Sequence, residues 1–420
     1  MSGETAELET LSRLAKGRPL ALQLIAVALS EKTQESANWW ELDLGELLAV
    51  LSNPELAAQP DAALVWGLTA IYNRLETRLQ ELLLNLTVYR DGFNLAAADA
   101  ILPDAEITAA DLQFLVSKSF LQLQTENLTC DNNVILSVDA LAASRRVAKD
   151  LNPTPNDNQQ PPNNDNVILS VAKDLQNPDY EFQPEILDYL QQKTTNLTAA
   201  HHQAITYYRN HTKPRQEWKT LADVQEYLEI FYHFCELGDY ESAFNTIRDG
   251  SDDEVDTFLD LGGYNQIRVE LYTQLIANWQ PEDREDWRYT ASLTSLGNAY
   301  NSLGEYRRAI EFQQQSLEIF RAIGDRRGEA NSLGNLGNAY DSLGEYQRAI
   351  DFYQQSLEIF RAIGDRGGEA TSLNNLGSAY YSLGEYQRAI EFHQQSLEIF
   401  RAIGDRRGEA SSLIGLGNAC

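Results

Sequence analysis

From Trp287 onward, apolar positions fall at helical spacing, break at a Leu-Gly-Glu-Tyr turn and resume, and the whole pattern recurs every 40 residues. In one unit Leu333, Leu336 and Tyr340 mark one helical face. Leu343-Gly344-Glu345-Tyr346 marks a turn, and Ala349, Ile350, Tyr353, Leu357 and Phe360 mark a second helical face. Each unit is predicted to be a helix hairpin. A hairpin of this size cannot bury its own apolar face, so successive units must stack. Gly337 and Ala349 are small where two helices would cross closely. Gly364, after Ile363, suits the left-handed conformation that ends a helix.

This arm, from Trp287 to the end, resembles the tetratricopeptide repeat. The Leu-Gly pair, the following Tyr and the Ala opening the second helix are met by Leu336-Gly337, Tyr340 and Ala349, with Ser356 at the later small position. The usual terminal Pro is replaced by the longer link GDRRGEA, as in the 40-residue variant of kinesin light chains and bacterial signalling proteins. The resemblance implies that the first helix of each hairpin lines a groove. The ligand-facing positions would be Asn298, Asn338, Ser378 and Asn418, with Asn301, Asp341 and Tyr381 one turn further and Asn335 and Asn375 as a second polar row. Asparagine amides offer both a donor and an acceptor to an extended peptide. The alternative is a set of solvated positions copied by duplication. Arg321, Asp325, Arg326 and Arg327 are expected to form ion pairs and caps between units.

The same grammar runs upstream in worn form. Residues 227–247 carry Leu237-Gly238-Asp239-Tyr240 as a turn with Ala243 opening the next helix, and 261–279 carry Gly262-Gly263-Tyr264. The array is therefore predicted to reach back to about residue 217. His201, His202, His211 and His233 lack the spacing of a metal site and are expected to be ordinary helix residues.

Near the N-terminus, Gly17-Arg18-Pro19-Leu20-Ala21 opens a predicted apolar helix over 14–29. It resembles the GLPLA motif of NB-ARC/STAND ATPases, in which the Pro packs near a bound adenine; the resemblance assigns that contact to Pro19. Tyr72-Asn73-Arg74-Leu75, the run 79–101 and a capping-box start at Thr108 with Asp111 follow in the order of the winged-helix module of that family. Yet no G-x-x-x-x-G-K-[ST] occurs and no strand with paired Asp precedes Gly17. The family's phosphate-sensing Met-His-Asp falls on Phe182-Gln183-Pro184. No catalysis and no cofactor are expected of this chain alone.

Between 126 and 179 the segments NVILSV and VAKDL each occur twice around a tract rich in Pro, Asn and Gln, a composition that cannot build a core; a single short helix near 140–149 is expected. The predicted organisation is a helical NB-ARC-like remnant (1–60), a winged-helix-like domain with a disordered insertion at 126–179 (61–190), a degenerate repeat bridge (191–284) and the repeat array (285–420). The fold class is mostly α, a helical bundle plus winged helix followed by a right-handed α-solenoid.

Charge narrows the partners. Thirty-three Lys and Arg against 62 Asp and Glu leave a net charge of −29, which repels nucleic acid and anionic membranes. From Asp61 to Thr125 eight acidic residues face four basic ones, and helix 108–119 offers only Lys118 to a phosphate, so the winged helix is not expected to bind DNA. Three scattered cysteines and the lack of a signal peptide or an apolar run of membrane length point to the cytoplasm. The reading that best fits is an interaction module that binds a protein or peptide. Its rivals are half of a split or truncated nucleotide-switched ATPase and a DNA-binding regulator. Met1 stands just before an internal motif and Cys420 within a first helix, so a portion of a longer protein is expected. Exposed Leu413 and Leu416 would favour self-association.

Overall fold

The computed structural model describes residues 20, 62–90, 92–124, 179–194, 196–248, 254–279 and 287–419. Pro19 and its motif apart from Leu20, the insertion up to residue 178 with its expected helix at 140–149, Cys130 and Cys420 lie outside the described residues. The chain divides into two compact units, residues 1–207 and 208–420, and among the described residues it is mostly α-helical.

In the first unit, helices α1 (Ala62–Tyr72), α2 (Thr77–Leu86), α3 (Leu95–Ile101) and α4 (Ala109–Ser117) precede strands β1 (Gln122–Leu123) and β2 (Tyr180–Glu181), then α5 (Pro184–Lys193) and α6 (Thr198–Arg209). Leu68, Ile71, Leu82, Leu83, Leu86, Leu112, Phe120, Ile186 and Leu190 are fully enclosed and form the core. The capping box foreseen at Thr108 is present, and it positions more than a helix start. The Asp111 carboxylate accepts from the Thr108 backbone at 2.9 Å and from Arg78 Nη2 at 2.6 Å, tying α4 to α2. Arg78 and Thr108 hold the Asp111 carboxyl down at about 2.

β1 and β2 pair antiparallel, Gln122 opposite Glu181 and Leu123 opposite Tyr180. The Gln124 amide donates to the Asp179 carbonyl at 3.0 Å. Residues 124 and 179, which flank the insertion, are therefore backbone neighbours. Loop-closure entropy grows only slowly with loop length, so a long insertion at such a point is tolerated.

The second unit is a run of helix hairpins: α7 (Gln225–Glu236) with α8 (Tyr240–Ile247), α9 (Val255–Leu261) with α10 (Asn265–Asn278), α11 (Trp287–Ser302) with α12 (Tyr306–Ile323), α13 (Arg326–Ser342) with α14 (Tyr346–Ile363), and α15 (Arg366–Ser382) with α16 (Tyr386–Ile403), closed by α17 (Arg406–Ala419). The glycine of each turn takes a left-handed φ, 71° at Gly238, 76° at Gly263 and 78° at Gly344, where a side chain would be strained. The worn upstream hairpins thus keep the turn geometry of the regular ones.

Between hairpins, the link does two jobs with two residues. Gly364 adopts φ 73° and closes α14 through Asp365 N to Phe360 O at 2.9 Å, and the Asp365 side chain then caps α15 by accepting from Gly368 N at 3.0 Å. The charge network expected here is present and has a centre. Glu329, buried at the start of α13, accepts from Arg321 Nε at 2.9 Å and from Arg326, while Arg327 pairs with Asp365 of the next unit at 2.9 Å.

Inside the array, small side chains allow close stacking. Ala339, Ala349, Ala370, Ala379 and Ala389 are fully buried. Serines line the seam: Ser316 meets Ser332 at 3.1 Å, Ser356 meets Ser372 at 3.2 Å, and Ser356 donates to the Ala330 carbonyl at 2.9 Å, which satisfies each hydroxyl in a dry interior. On each hairpin from α11 to α16 a phenylalanine, a tyrosine and an arginine stack, as in Phe352 on Tyr340 at 5.3 Å with Arg348 4.6 Å from the same ring.

Candidate partner-binding face

First helices α11, α13, α15 and α17 touch their successors across units, whereas second helices meet one another more sparsely. The array therefore bends toward its first-helix side. On that side a polar line runs along α13 at i, i+3 and i+6, through Asn335, Asn338 and Asp341.

The two predicted rows turn out to be joined. Asn298 and Asn338 are half-buried, and each Oδ1 already accepts a hydrogen bond, from Gln313 Nε2 at 2.9 Å and from the Tyr353 hydroxyl at 2.8 Å. Asn375 Nδ2 also donates to Asn338 Oδ1 at 3.3 Å, and Asn335 Nδ2 to Gln313 Oε1 at 3.4 Å. These amides are held in place by their neighbours. Ser378 is exposed and donates to the Asn374 carbonyl at 3.2 Å; Asn418 is exposed on α17.

The third row behaves differently. Asn301 and Asp341 each place an enclosed Oδ1 that accepts no hydrogen bond. Burial pushes the Asp341 carboxyl above its ordinary range. Tyr381, the same position one copy later, is exposed beside Tyr386, ring centres 5.5 Å apart.

Gln313, Tyr353 and His393 were absent from the predicted site. They occupy the same position on α12, α14 and α16 and are almost fully buried. Each presses on a glycine of the first helix: a Cβ on Gly297 would lie 2.6 Å from Gln313 Nε2, and one on Gly377 would lie 2.7 Å from His393 Cε1. His393 Nδ1 lies 2.9 Å from Asn374 Oδ1. The signal was available, because otherwise near-identical copies differ here. Several differences between copies gather at this position and on the facing helix: Thr294, Gly334 and Asn374; Ser295, Asn335 and Asn375; Asn298, Asn338 and Ser378; Asn301, Asp341 and Tyr381.

Elsewhere, His201 and His233 are buried in helices, whereas His211, expected in a helix, lies in the turn after α6; among the described residues no His, Cys, Asp or Glu cluster could hold a metal. Also among the described residues, no helix is long and apolar enough to cross a membrane. At α17 the exposed apolar pair is Leu413 and Ile414; Leu416 is half-buried, because the helical phase turns it inward.

Comparison with known proteins places the class. The family described as Tetratricopeptide repeat matches residues 289–362 and 368–420, so the arm carries tetratricopeptide repeats. G-protein-signaling modulator 1 of Mus musculus is 49% identical over 45 residues, 11% of this chain and 7% of that protein. The chain thus matches only a small part of that relative. Two solved structures are similar at low identity. One is a Signal Transduction ATPase with Numerous Domains (STAND) protein with a tetratricopeptide repeat sensor from Pyrococcus horikoshii (TM-score 0.34, 14% identity, 94% of this chain and 56% of that one). The other is aspartyl phosphate phosphatase F from Bacillus subtilis (TM-score 0.44, 13% identity, 66% and 73%). Neither likeness is close enough to carry function.

Proposed function

We propose that the inner face of the repeat arm binds a protein or peptide partner and that the chain acts as a scaffold without chemistry of its own. The observation that carries this reading is the placement of sequence change. Differences between the copies recur along one polar face, through Asn298, Asn301, Asn335, Asn338, Asp341, Asn375, Ser378 and Tyr381, and at the buried position that props it, while others, such as Arg327 against Gly367 in the link and Arg307 against Gln347, lie elsewhere. Change that recurs on one surface of rigid helices is what a recognition face requires. Asn418 continues the face on α17.

The test is a photoreactive amino acid placed at Ser378 in the full chain, with Glu358, exposed on α14, as the comparison. A discrete adduct with the same protein or peptide at Ser378 and none at Glu358 is expected in the native cell. Equal labelling at both positions would reject the reading.

A narrower version sets this scaffold in bacterial-type signalling, as part of a nucleotide-switched STAND protein whose segments are 1–60, 61–190, 191–284 and 285–420. It is supported by the motif around Pro19 and by the ribbon β1–β2 following α1–α4, the order a winged helix has. On this version adenine-nucleotide binding that Pro19→Ala abolishes is expected only when a part carrying the missing P-loop is supplied, and binding unaffected by that change would remove Pro19 from it. Self-association through exposed Leu413 and Ile414 is a further part, checked by light scattering across concentration.

A further inference from the structure

The last turn of α13 holds a charge that no cation in the arm answers. Asp341 sits next to the final residue of the helix, where the helix dipole already makes the potential negative and a carboxylate is unfavourable. Its Oδ1 is enclosed and accepts no hydrogen bond. The arginines nearby in sequence are engaged elsewhere, Arg327 with Asp365, Arg348 with Glu345, Arg361 and Arg366 with Glu369.

One copy earlier, Asn301 stands at the same place in α11, again with an enclosed Oδ1 that nothing donates to. Folded proteins rarely keep dry acceptors without donors. Duplication reproduces the geometry, and the change from Asn to Asp strengthens the unmet demand for a donor. In the third copy the position is an exposed tyrosine, so the acceptor requirement belongs to the first two copies.

We infer that Asp341 receives a basic side chain, arginine or lysine, from an extended peptide lying along the inner face, and that Asn301 takes an uncharged donor of the same peptide one repeat away. This rests on the reading of the inner face as a binding surface and adds the chemistry of what it binds. A net charge of −29 on the chain also favours the approach of a cationic partner. Burial raises the Asp341 carboxyl, and an arriving guanidinium or ammonium would oppose that shift.

The experiment uses the full chain and four pools of fluorescent nonapeptides, built from Ala, Ser, Gly, Leu and Tyr, with the central residue fixed as Arg, Lys, Gln or Glu. Binding is read by anisotropy. The Arg and Lys pools are expected to bind about tenfold more tightly than the Gln pool, the scale of one charge-assisted hydrogen bond. Asp341→Asn should abolish that preference, and Asp341→Glu should retain part of it. Asp351→Asn removes the same charge from an exposed site on α14 and should leave the preference intact. Pools that bind without basic preference, or a preference that survives Asp341→Asn or is lost equally in Asp351→Asn, would overturn the inference alone. If no pool binds, or binding is unchanged by Ser378→Trp, the binding-face reading fails and the inference fails with it.

Discussion

The Tyr353 hydroxyl donates to Asn338 Oδ1 at 2.8 Å, joining the second helix of one hairpin to the polar face of its first. Gln313 does the same for Asn298. In the third copy Ser378 replaces that asparagine, and the buried His393 instead meets Asn374, where the previous copy has Gly334. The asparagine has moved one turn along the helix and the buried polar group has kept a partner, as desolvation demands. The face and its support vary together.

Tyr353→Phe removes one of these links while leaving the ring in place. Asn338 Oδ1 keeps the weaker contact from Asn375 at 3.3 Å, so the carbonyl is not orphaned. The expected cost is about 1 kcal/mol, measured from the midpoint of urea unfolding followed by helical circular dichroism.

Two glycines of α13 should respond in opposite directions. A methyl on Gly337 would collide with the Tyr353 ring, whereas one on Gly334 finds its nearest neighbour, Ser356 Oγ, at 3.7 Å. Gly337→Ala is expected to destabilise the array by about 1–3 kcal/mol through overpacking. Gly334→Ala should stabilise it by up to about 1 kcal/mol from helix propensity. Equal effects in the same denaturation assay would mean that the crossing distance is not what keeps Gly337 small.

The hairpins, their turns and the Gly364-Asp365 link were legible in the sequence because each depends on local periodicity or on a residue with special backbone freedom. The expected arginine network was also legible, but its centre was not. Glu329 is polar in the linear pattern, and only the fold buries it between Arg321 and Arg326. Tyr353 falls in an apolar stripe of the sequence, which suits its ring. Its hydroxyl partner lies 15 residues away on another helix, a separation that helical periodicity does not encode. The enclosed oxygens of Asn301 and Asp341 depend on how neighbouring hairpins exclude water, so the sequence could place them on the face but not show their lack of donors.

Glu329→Gln tests the centre of the link. The substitution keeps shape and an acceptor but removes the charge that two half-exposed arginines share, so screening by solvent limits the loss. A destabilisation of about 1 kcal/mol is expected, smaller in 1 M salt than at low ionic strength. A salt-independent loss would assign the effect to packing.

Asp341→Asn should stabilise the free protein at neutral pH. Burial raises the folded carboxyl above its unfolded value near 3.8, so the folded state binds the proton more tightly and loses stability as pH rises through that window. Removing the charge should add about 0.3–1 kcal/mol at pH 7, the range of a carboxylate at the wrong end of a helix dipole. The gain should shrink toward pH 4, and thermal unfolding of both proteins at the two pH values measures it.

His393 makes the opposite demand on pH. Its ring is buried against Gly377 and Gly415 with Asn374 as its hydrogen-bonding neighbour, and desolvation lowers its pKa from the ordinary 6.5. The folded state then resists protonation that the unfolded chain accepts. Its contribution is fully present above about pH 6.5 and declines as pH falls toward the depressed folded value. His393→Gln, which installs the residue the first copy already uses at Gln313, is expected to remove this part of the acid sensitivity while costing little at pH 8. Comparing urea midpoints of wild type and variant at pH 8 and pH 5 measures it: the gap between the two proteins should move in favour of the variant on acidification. An unchanged gap would mean that His393 is as easily protonated in the folded array as in the unfolded chain.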